Sequence, residues 1–155
     1  GQERCIIAET WVDEGIDWLM DMVFKETGTP PANLYLGLFS SQTASTVPAR
    51  TATGGAVPAG WTEVTGVSYA RIAVTSANWG AASTSGSSRK ITAAQKTYTA
   101  GGLWDAANGF FLATASASGA SDIVIAFANF DSGLARTLAI SGDQLKLTPS
   151  VLMSV

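Results

Sequence analysis

The sequence predicts a mainly β protein, an antiparallel β-sandwich of jelly-roll-like type with one N-terminal amphipathic α-helix. From residue 33 onward, short segments of β-prone, alternating residues recur about every 10–15 residues. Turns rich in Gly, Asn and Asp separate these segments. A helical apolar period occurs only before residue 28. Together these patterns are typical of sandwiches and jelly rolls.

The chain of 155 residues is the length of one domain with a short appendage. We expect an N-terminal arm over residues 1–9 and a single sandwich domain over residues 10–155. The helical segment of that domain covers residues 10–27.

The predicted helix has two apolar stripes. Thr10 is placed to cap it, Asp13 follows three residues later, and Thr27 with Gly28 closes it. One stripe contains Val12, Ile16, Leu19 and Val23, and the other contains Trp11, Trp18 and Met22. Either both stripes lie in one wide core contact, or the tryptophan stripe faces another subunit.

The remaining chain predicts strands and turns. Residues 33–41 are apolar on both faces, as in a central strand. Residues 42–60 form a long loop, of a length that is usually functional or ordered by a partner. Tyr69 to Thr75 alternate as a strand, residues 81–88 read as a flexible turn, and residues 89–100 are extended.

Three further signals complete the sandwich. Asn108-Gly109 between apolar runs predicts a hairpin turn. Residues 122–130 form a buried strand, and in the last strand Leu145 and Leu147 share one face. Pro149 predicts that this last strand is an edge strand or contains a bulge.

Charge is scarce and unevenly placed. Charged residues are 14% of the chain and apolar residues 46%. Residues 1–26 carry seven acids and two bases, whereas residues 27–155 carry five acids and seven bases. The low charge fits either a surface covered by neighbours or a neutral Ser/Thr-rich β surface. The acidic head disfavours nucleic-acid binding and suits docking on a basic protein surface.

The residue inventory disfavours catalysis. The chain has no histidine and one cysteine, so we expect no Ser-His pair, no zinc cluster and no cofactor. Four of the five acids after residue 27 lie at turns, where Asp bonds nearby backbone. Cys5 reads as a small apolar residue of a protein made in reducing cytoplasm. No membrane span or secretory signal is expected.

Aromatic and cationic residues leave alternatives open. Trp61, Trp79 and Trp104 lie at strand ends, where they either plug the sandwich or stack on sugar rings. Arg71 and Arg136 lie within apolar strands, where each is paired inside, spread on the surface or aimed at a partner.

The order of four blocks carries a resemblance. These are "NLYLGLFSS" after a short helix, "EVTGVSYARIAVT" after a Thr/Gly/Pro loop, then "GLWDAANGFFLATAS", and finally "SGDQLKLTPSVLMSV". This order resembles a group of small tailed-bacteriophage virion proteins, some of them tail-fibre proteins and some similar to capsid decoration (cement) proteins. The chain departs from the family pattern in its first nine residues and in its long loop 42–60.

The resemblance implies a non-enzymatic virion protein made in the host cytoplasm. We expect a decoration protein that binds the major capsid protein on the outer capsid surface and stabilises the head. Other copies of the chain are expected partners, in a homo-oligomer such as a trimer, with neither nucleic acid nor membrane bound. The predicted partner interface comprises Ile6, Ile7, Trp11, Trp18 and Met22. The alternative is a tail-fibre or baseplate module that binds a host surface carbohydrate.

Overall fold

The computed structural model describes residues 2–8, 10–41, 61–119, 121–130 and 135–154. These residues form one α-helix and eleven strands, which confirms the mainly β class with an N-terminal helix. The elements are β1 (Gln2–Ala8), β2 (Thr10–Trp11), α1 (Asp13–Phe24), β3 (Asn33–Ser41), β4 (Trp61–Glu63), β5 (Ile72–Thr75), β6 (Ser83–Ser85), β7 (Ser88–Thr92), β8 (Lys96–Thr99), β9 (Gly109–Ala113), β10 (Val124–Asn129) and β11 (Gln144–Met153).

The strands form two sheets. In sheet A, β11 lies in the middle with β1 on one side, while β8 and β7 pair end to end with its other side and β6 continues from β7. In sheet B the order is β2-β10-β9-β3, and β4 and β5 share the outer side of β3. The β1–β11 pairing is parallel and the other strand pairings are antiparallel. Jelly-roll connectivity stays a prediction.

Both sheets contribute to one apolar core. Leu145, Leu147 and Tyr98 of sheet A are buried in the same cluster as Leu36 and Leu112 of sheet B. The Tyr98 hydroxyl also donates a hydrogen bond to the Leu36 carbonyl oxygen across the sheets. Removal of these side chains from water holds the two sheets together.

The helix is shorter than predicted at both ends. Thr10 belongs to β2 rather than capping the helix, and Val12 occupies the N-cap position without a side-chain cap. The reason is that the Val12 N–H donates to the Ile125 carbonyl at 2.9 Å, which keeps the chain on β10 up to that residue. At the other end α1 stops at Phe24, and both Glu26, with φ of 53°, and Gly28, with φ of 81°, have left-handed backbone conformations.

Gly15 allows the helix to lie directly on sheet B. A Cβ atom at this position would be 2.5 Å from the Ile125 Cα atom and 2.7 Å from its carbonyl oxygen. The glycine therefore permits a close backbone approach between α1 and β10, in return for its lower helix propensity.

Several strand predictions hold and others need correction. β3 matches its predicted span and is buried along residues 36–39, as expected of a central strand. β5 begins only at Ile72, and the predicted turn 81–88 contains strand β6 and its hairpin with β7. The loop prediction for residues 42–60 lies outside the described residues.

The hairpin prediction at Asn108-Gly109 is wrong. Asn108 is 3% exposed, and its N–H donates to the Phe39 carbonyl at 2.8 Å. Gly109 is the first residue of β9, where a Cβ atom would be 2.2 Å from the Ala128 carbonyl oxygen. The glycine thus marks close packing of β9 on β10 rather than a turn.

Pro149 does not mark an edge strand, because β11 has neighbours on both sides. The Pro149 carbonyl accepts a hydrogen bond from the Ala93 N–H at 2.8 Å, so its missing N–H faces the same side. On that side β8 pairs with residues 144–147 and β7 with residues 150–153. Proline is tolerated here because it lies in the gap between these two partners.

The predicted arm is described over residues 2–8, where its backbone forms β1. β1 pairs with β11 from Gln2 opposite Leu145 to Ala8 opposite Val151. This part of the arm is therefore a strand of sheet A.

Candidate functional site

Helix α1 covers one end of the shared core. An apolar cleft of about 250 Å³ beneath it is lined by Trp11, Trp18, Leu19, Leu34, Trp79, Ile91, Leu112, Ile125 and Val151. These residues come from α1 and from both sheets, so the helix closes the space where the sheets separate. We call this space the inner cleft.

A second apolar depression lies on the outer side of the helix. It has a volume of about 500 Å³, and its lining residues are Trp11, Ile16, Leu19, Met20, Val23, Phe24 and Met153. Phe24 is 78% exposed, and Met20, Val23 and Met153 are about half exposed. We call this surface the outer groove, and Trp11 and Leu19 line both it and the inner cleft.

The outer groove is bordered by acidic residues. Met20 and Phe24 are one helical turn apart, and Asp13, Asp17 and Asp21 repeat at the same spacing on the adjoining face. The Lys25 ammonium lies 2.7 Å from the Asp21 carboxylate, and hydrogen bonding to Asp21 raises the pKa of Lys25. On the sheet side Arg89 is in register with Met153 and donates to the Thr84 hydroxyl at 2.8 Å.

The predicted interface residues have different surroundings. Trp11 and Trp18 are half-buried and pack against the core, and the Trp11 indole N–H donates to the Leu152 carbonyl at 3.1 Å. Met22 is half-buried beside Pro30 and Pro31. The backbone of residues 6 and 7 lies in β1, and their side chains are outside the described part of the chain.

Sequence reasoning missed the residues that face outward. Met20 and Phe24 belong to neither predicted stripe, and Val23 belongs to the predicted stripe that begins with buried Val12. The missed signal is the spacing of Ile16, Met20 and Phe24, which forms a third apolar row on the helix. Met153 joins this row only through the fold, because β11 ends beside α1.

A buried ionic cluster surrounds Arg71. Its Nε and Nη2 atoms donate to the two carboxylate oxygens of Glu63 at 2.8 and 2.9 Å. Its Nη1 atom donates to the Asp122 carboxylate at 2.9 Å and to the Ala115 carbonyl at 2.8 Å. The guanidinium carbon lies 4.9 Å from the centre of the Phe111 ring. Of the alternatives open for this arginine, pairing inside the protein is the observed one.

Tyr69 joins this cluster to the aromatic core. Its hydroxyl donates to Glu63 at 3.0 Å and accepts from the Leu38 N–H at 2.9 Å. Burial, and then the negative charge of Glu63, raise the pKa of Tyr69. Its ring packs edge-on against Trp104, with 5.3 Å between centroids. The Tyr69-Ala70-Arg71 block therefore connects β3 and β4 with the segment between β9 and β10, which contains Ala115 and Asp122.

Charges within the cluster offset one another. Burial lowers the pKa of Arg71, but the hydrogen bond and charge of Glu63, with the charge of Asp122, outweigh it and raise that pKa overall. Burial is the largest influence on Asp122 and raises the pKa of its carboxyl, against the effect of Arg71. Glu63 and Asp122 are both occupied by the same guanidinium, so their geometry is that of a structural ion pair.

The described tryptophan side chains do not form an exposed stacking platform. Trp104 is 3% exposed, and its indole N–H donates to the Val67 carbonyl at 2.7 Å. Trp79 packs against the core, and the Trp61 side chain is not among the side chains that the structure describes. Where they are described, these tryptophans fill the ends of the fold.

A smaller apolar cluster lies on loops around Trp104. Val67, Leu103 and Ile140 are each more than half exposed. Their loops are joined by backbone hydrogen bonds from Gly101 to Val67, from Trp104 to Leu138 and from Gly142 to Ala100. The carboxylates nearby are used internally, because Asp105 accepts from Thr65 and Asp143 accepts from the Ala139 N–H.

Within the described ranges, no group of three or more Cys, Asp or Glu residues could hold a metal ion. The described helix is too short and too polar to cross a membrane. Comparison of the chain with protein-family models, curated proteins and solved structures found no match.

Proposed function

We propose that this chain is a non-enzymatic structural protein of a bacteriophage virion, a decoration protein that binds the outer capsid surface and stabilises the head. The observation that carries the proposal is the outer groove, an apolar surface on α1 in which Phe24 is 78% exposed. The order of sequence blocks supports the class of protein, and the groove supports a role in binding another protein.

Exposed apolar surface of this kind costs free energy unless it is covered. Phe24, Met20 and Val23 project from one helix instead of being scattered singly, and contiguous apolar patches mark interaction sites. Burial of a large apolar side chain contributes about 1.5–3 kcal/mol. A capsid offers the same contact many times, so modest individual contacts add up through multivalency if copies are linked.

The proposal also includes the partner, the oligomeric state and the strand connectivity. The partner is the major capsid protein, with other copies of the chain in a homo-oligomer such as a trimer. The two-sheet architecture is a sandwich with jelly-roll-like connectivity. A structural role also accounts for the ionisable groups, since Glu63 and Asp122 hold Arg71 instead of facing a cleft.

Gold labelling of intact virions with an antibody to this chain tests the proposal directly. Label distributed over the heads is the expected result. Label confined to the tail would replace the proposal with a tail-fibre or baseplate role. Absence of label on particles from a lysate that contains the chain would refute a virion role.

A further inference from the structure

We propose that the outer groove takes a segment of a different protein, one whose row of apolar side chains is flanked by Lys or Arg on the side that faces α1. This inference deepens the proposed function, on which it rests for the identity of the partner. The chemistry of the segment follows from the groove itself.

The apolar part of the segment is set by the groove walls. Ile16, Met20, Val23 and Phe24 follow helical spacing along α1, and Met153 provides the opposite wall. The lining residues of α1 run from Ile16 to Phe24, a rise of about 12 Å along the helix. A surface of this length accepts several consecutive apolar side chains, as in helix-in-groove recognition.

The basic flank is set by the charge beside the groove. Residues 13–26 carry five carboxylates and one lysine, a net charge of −4. Asp17 lies on an exposed position, one helical turn from Met20 and two turns from Phe24. The single lysine is already bound to Asp21. The net negative charge of this helix favours a partner with Lys or Arg on that side.

The same charge argues against a second copy as the occupant. In a two-fold contact each copy presents the same face to the other. Two outer grooves that meet in this way would bring ten helix carboxylates together with two lysines and two copies of Arg89, and like charges across an interface are strongly unfavourable. Self-association of the chain is therefore expected through another surface.

Two designed peptides test this assignment by isothermal titration with the full chain. Both have Leu at positions i, i+3, i+4 and i+7; one has Lys on the adjoining positions and the other has Glu. The Lys peptide is expected to bind at least about tenfold more tightly than the Glu peptide at low salt, and the difference should shrink near 1 M salt, where the screening length is about 3 Å.

Three variants locate the binding site. Phe24→Ser is expected to weaken binding of the Lys peptide at least about tenfold, because it removes a large apolar contact. Asp17→Asn should weaken the Lys peptide and leave the Glu peptide unaffected or slightly tighter. Leu103→Ser is the matched control, since Leu103 is also highly exposed but lies on the loops around Trp104.

Several results would overturn the inference. Equal binding of both peptides, absence of binding by the Lys peptide, or equal loss with Leu103→Ser would each do so. So would sedimentation in which the wild type is oligomeric and Phe24→Ser is monomeric, because the occupant would then be a second copy. Gold on virion heads together with failed peptide binding would refute this inference alone and leave the proposed function intact.

Discussion

Replacement of Arg71 by methionine tests the structural role of the buried ionic cluster. Arg71→Met keeps most of the side-chain length and the contact with Phe111, but it removes the ion pairs with Glu63 and Asp122. The Glu63 side chain is 20% exposed and can still be hydrated, whereas the Asp122 side chain is fully buried. The variant therefore leaves one carboxylate without water or a cation.

The expected loss is large relative to the stability of a domain. Removal of one member of a buried ion pair typically destabilises a protein by about 3–5 kcal/mol. The total free energy of unfolding of a domain is about 5–15 kcal/mol. Arg71→Met should therefore remove a substantial fraction of it. Adding Asp122→Asn should recover at least about 1 kcal/mol, because the uncompensated charge disappears.

The pH dependence provides an independent check. Without Arg71, the pKa of Asp122 in the folded protein rises further above its unfolded value. A carboxyl with a raised folded pKa destabilises the fold when it is ionised, and that cost is relieved as pH falls through the folded pKa. The stability difference between wild type and Arg71→Met should therefore narrow from pH 7 toward acid.

Urea unfolding followed by tryptophan fluorescence measures these differences. A loss below about 1 kcal/mol for Arg71→Met at pH 7 would refute the reasoning, since it would mean that Asp122 is not left buried and charged. So would a double variant that is less stable than Arg71→Met alone.

Three further variants or titrations probe local features. Gly15→Ala should destabilise the protein, because the added Cβ would be 2.5 Å from the Ile125 Cα atom, and a steric cost of up to about 3 kcal/mol outweighs the helical gain of about 1 kcal/mol. Gly119→Ala is the control, since nothing lies within 4 Å of its Cβ, and its stability should stay within about 0.5 kcal/mol of the wild type in the same urea assay. Glu26→Gly should raise stability by up to about 1 kcal/mol by relieving its positive φ. NMR titration should show a lowered pKa for Asp105, caused by hydrogen bonds from Thr65, and Thr65→Val should raise the pKa of Asp105. The ionised carboxylate therefore stabilises the fold at any pH above its unfolded pKa, and this stabilisation is lost as pH falls through its folded pKa.

The sequence predicted those strands in which the pattern of apolar residues matches the pattern of buried residues. Residues 33–41 are apolar on both faces, and β3 is a central strand over that whole span. Leu145 and Leu147 alternate with polar residues and are buried, as the period of two indicates. In such segments the order of apolar and polar residues within the strand is enough to predict which of its faces are buried.

Predictions failed where a distant residue decides the local structure. Gly109 has the local pattern of a turn, but its reason is the carbonyl of Ala128 on a neighbouring strand. The helix starts late because Ile125 holds the backbone of Val12. Pro149 is tolerated within β11 because two strands end beside it. None of these contacts can be read from adjacent residues.

The sequence predicted that the helix binds a partner, but it did not predict which side chains of the helix face outward. The acidic head and the excess of apolar surface on the helix are sequence properties, and they indicated a partner. The direction of each stripe depends on how α1 lies on β10, where Gly15 permits a close approach to the Ile125 backbone. Trp11 and Trp18 pack against the core, although Trp11 also lines the outer groove, and Met20 and Phe24 face outward.

Photo-crosslinking from the outer groove tests the central claim most directly. Benzoylphenylalanine replaces Phe24 in one variant and Leu103 in the other, both produced during phage infection, and adducts in purified particles are identified by mass spectrometry. We predict an adduct with the major capsid protein from position 24 and none with that protein from position 103. An adduct of position 24 with a tail protein, the same capsid adduct from both positions, or none from position 24 would contradict the account.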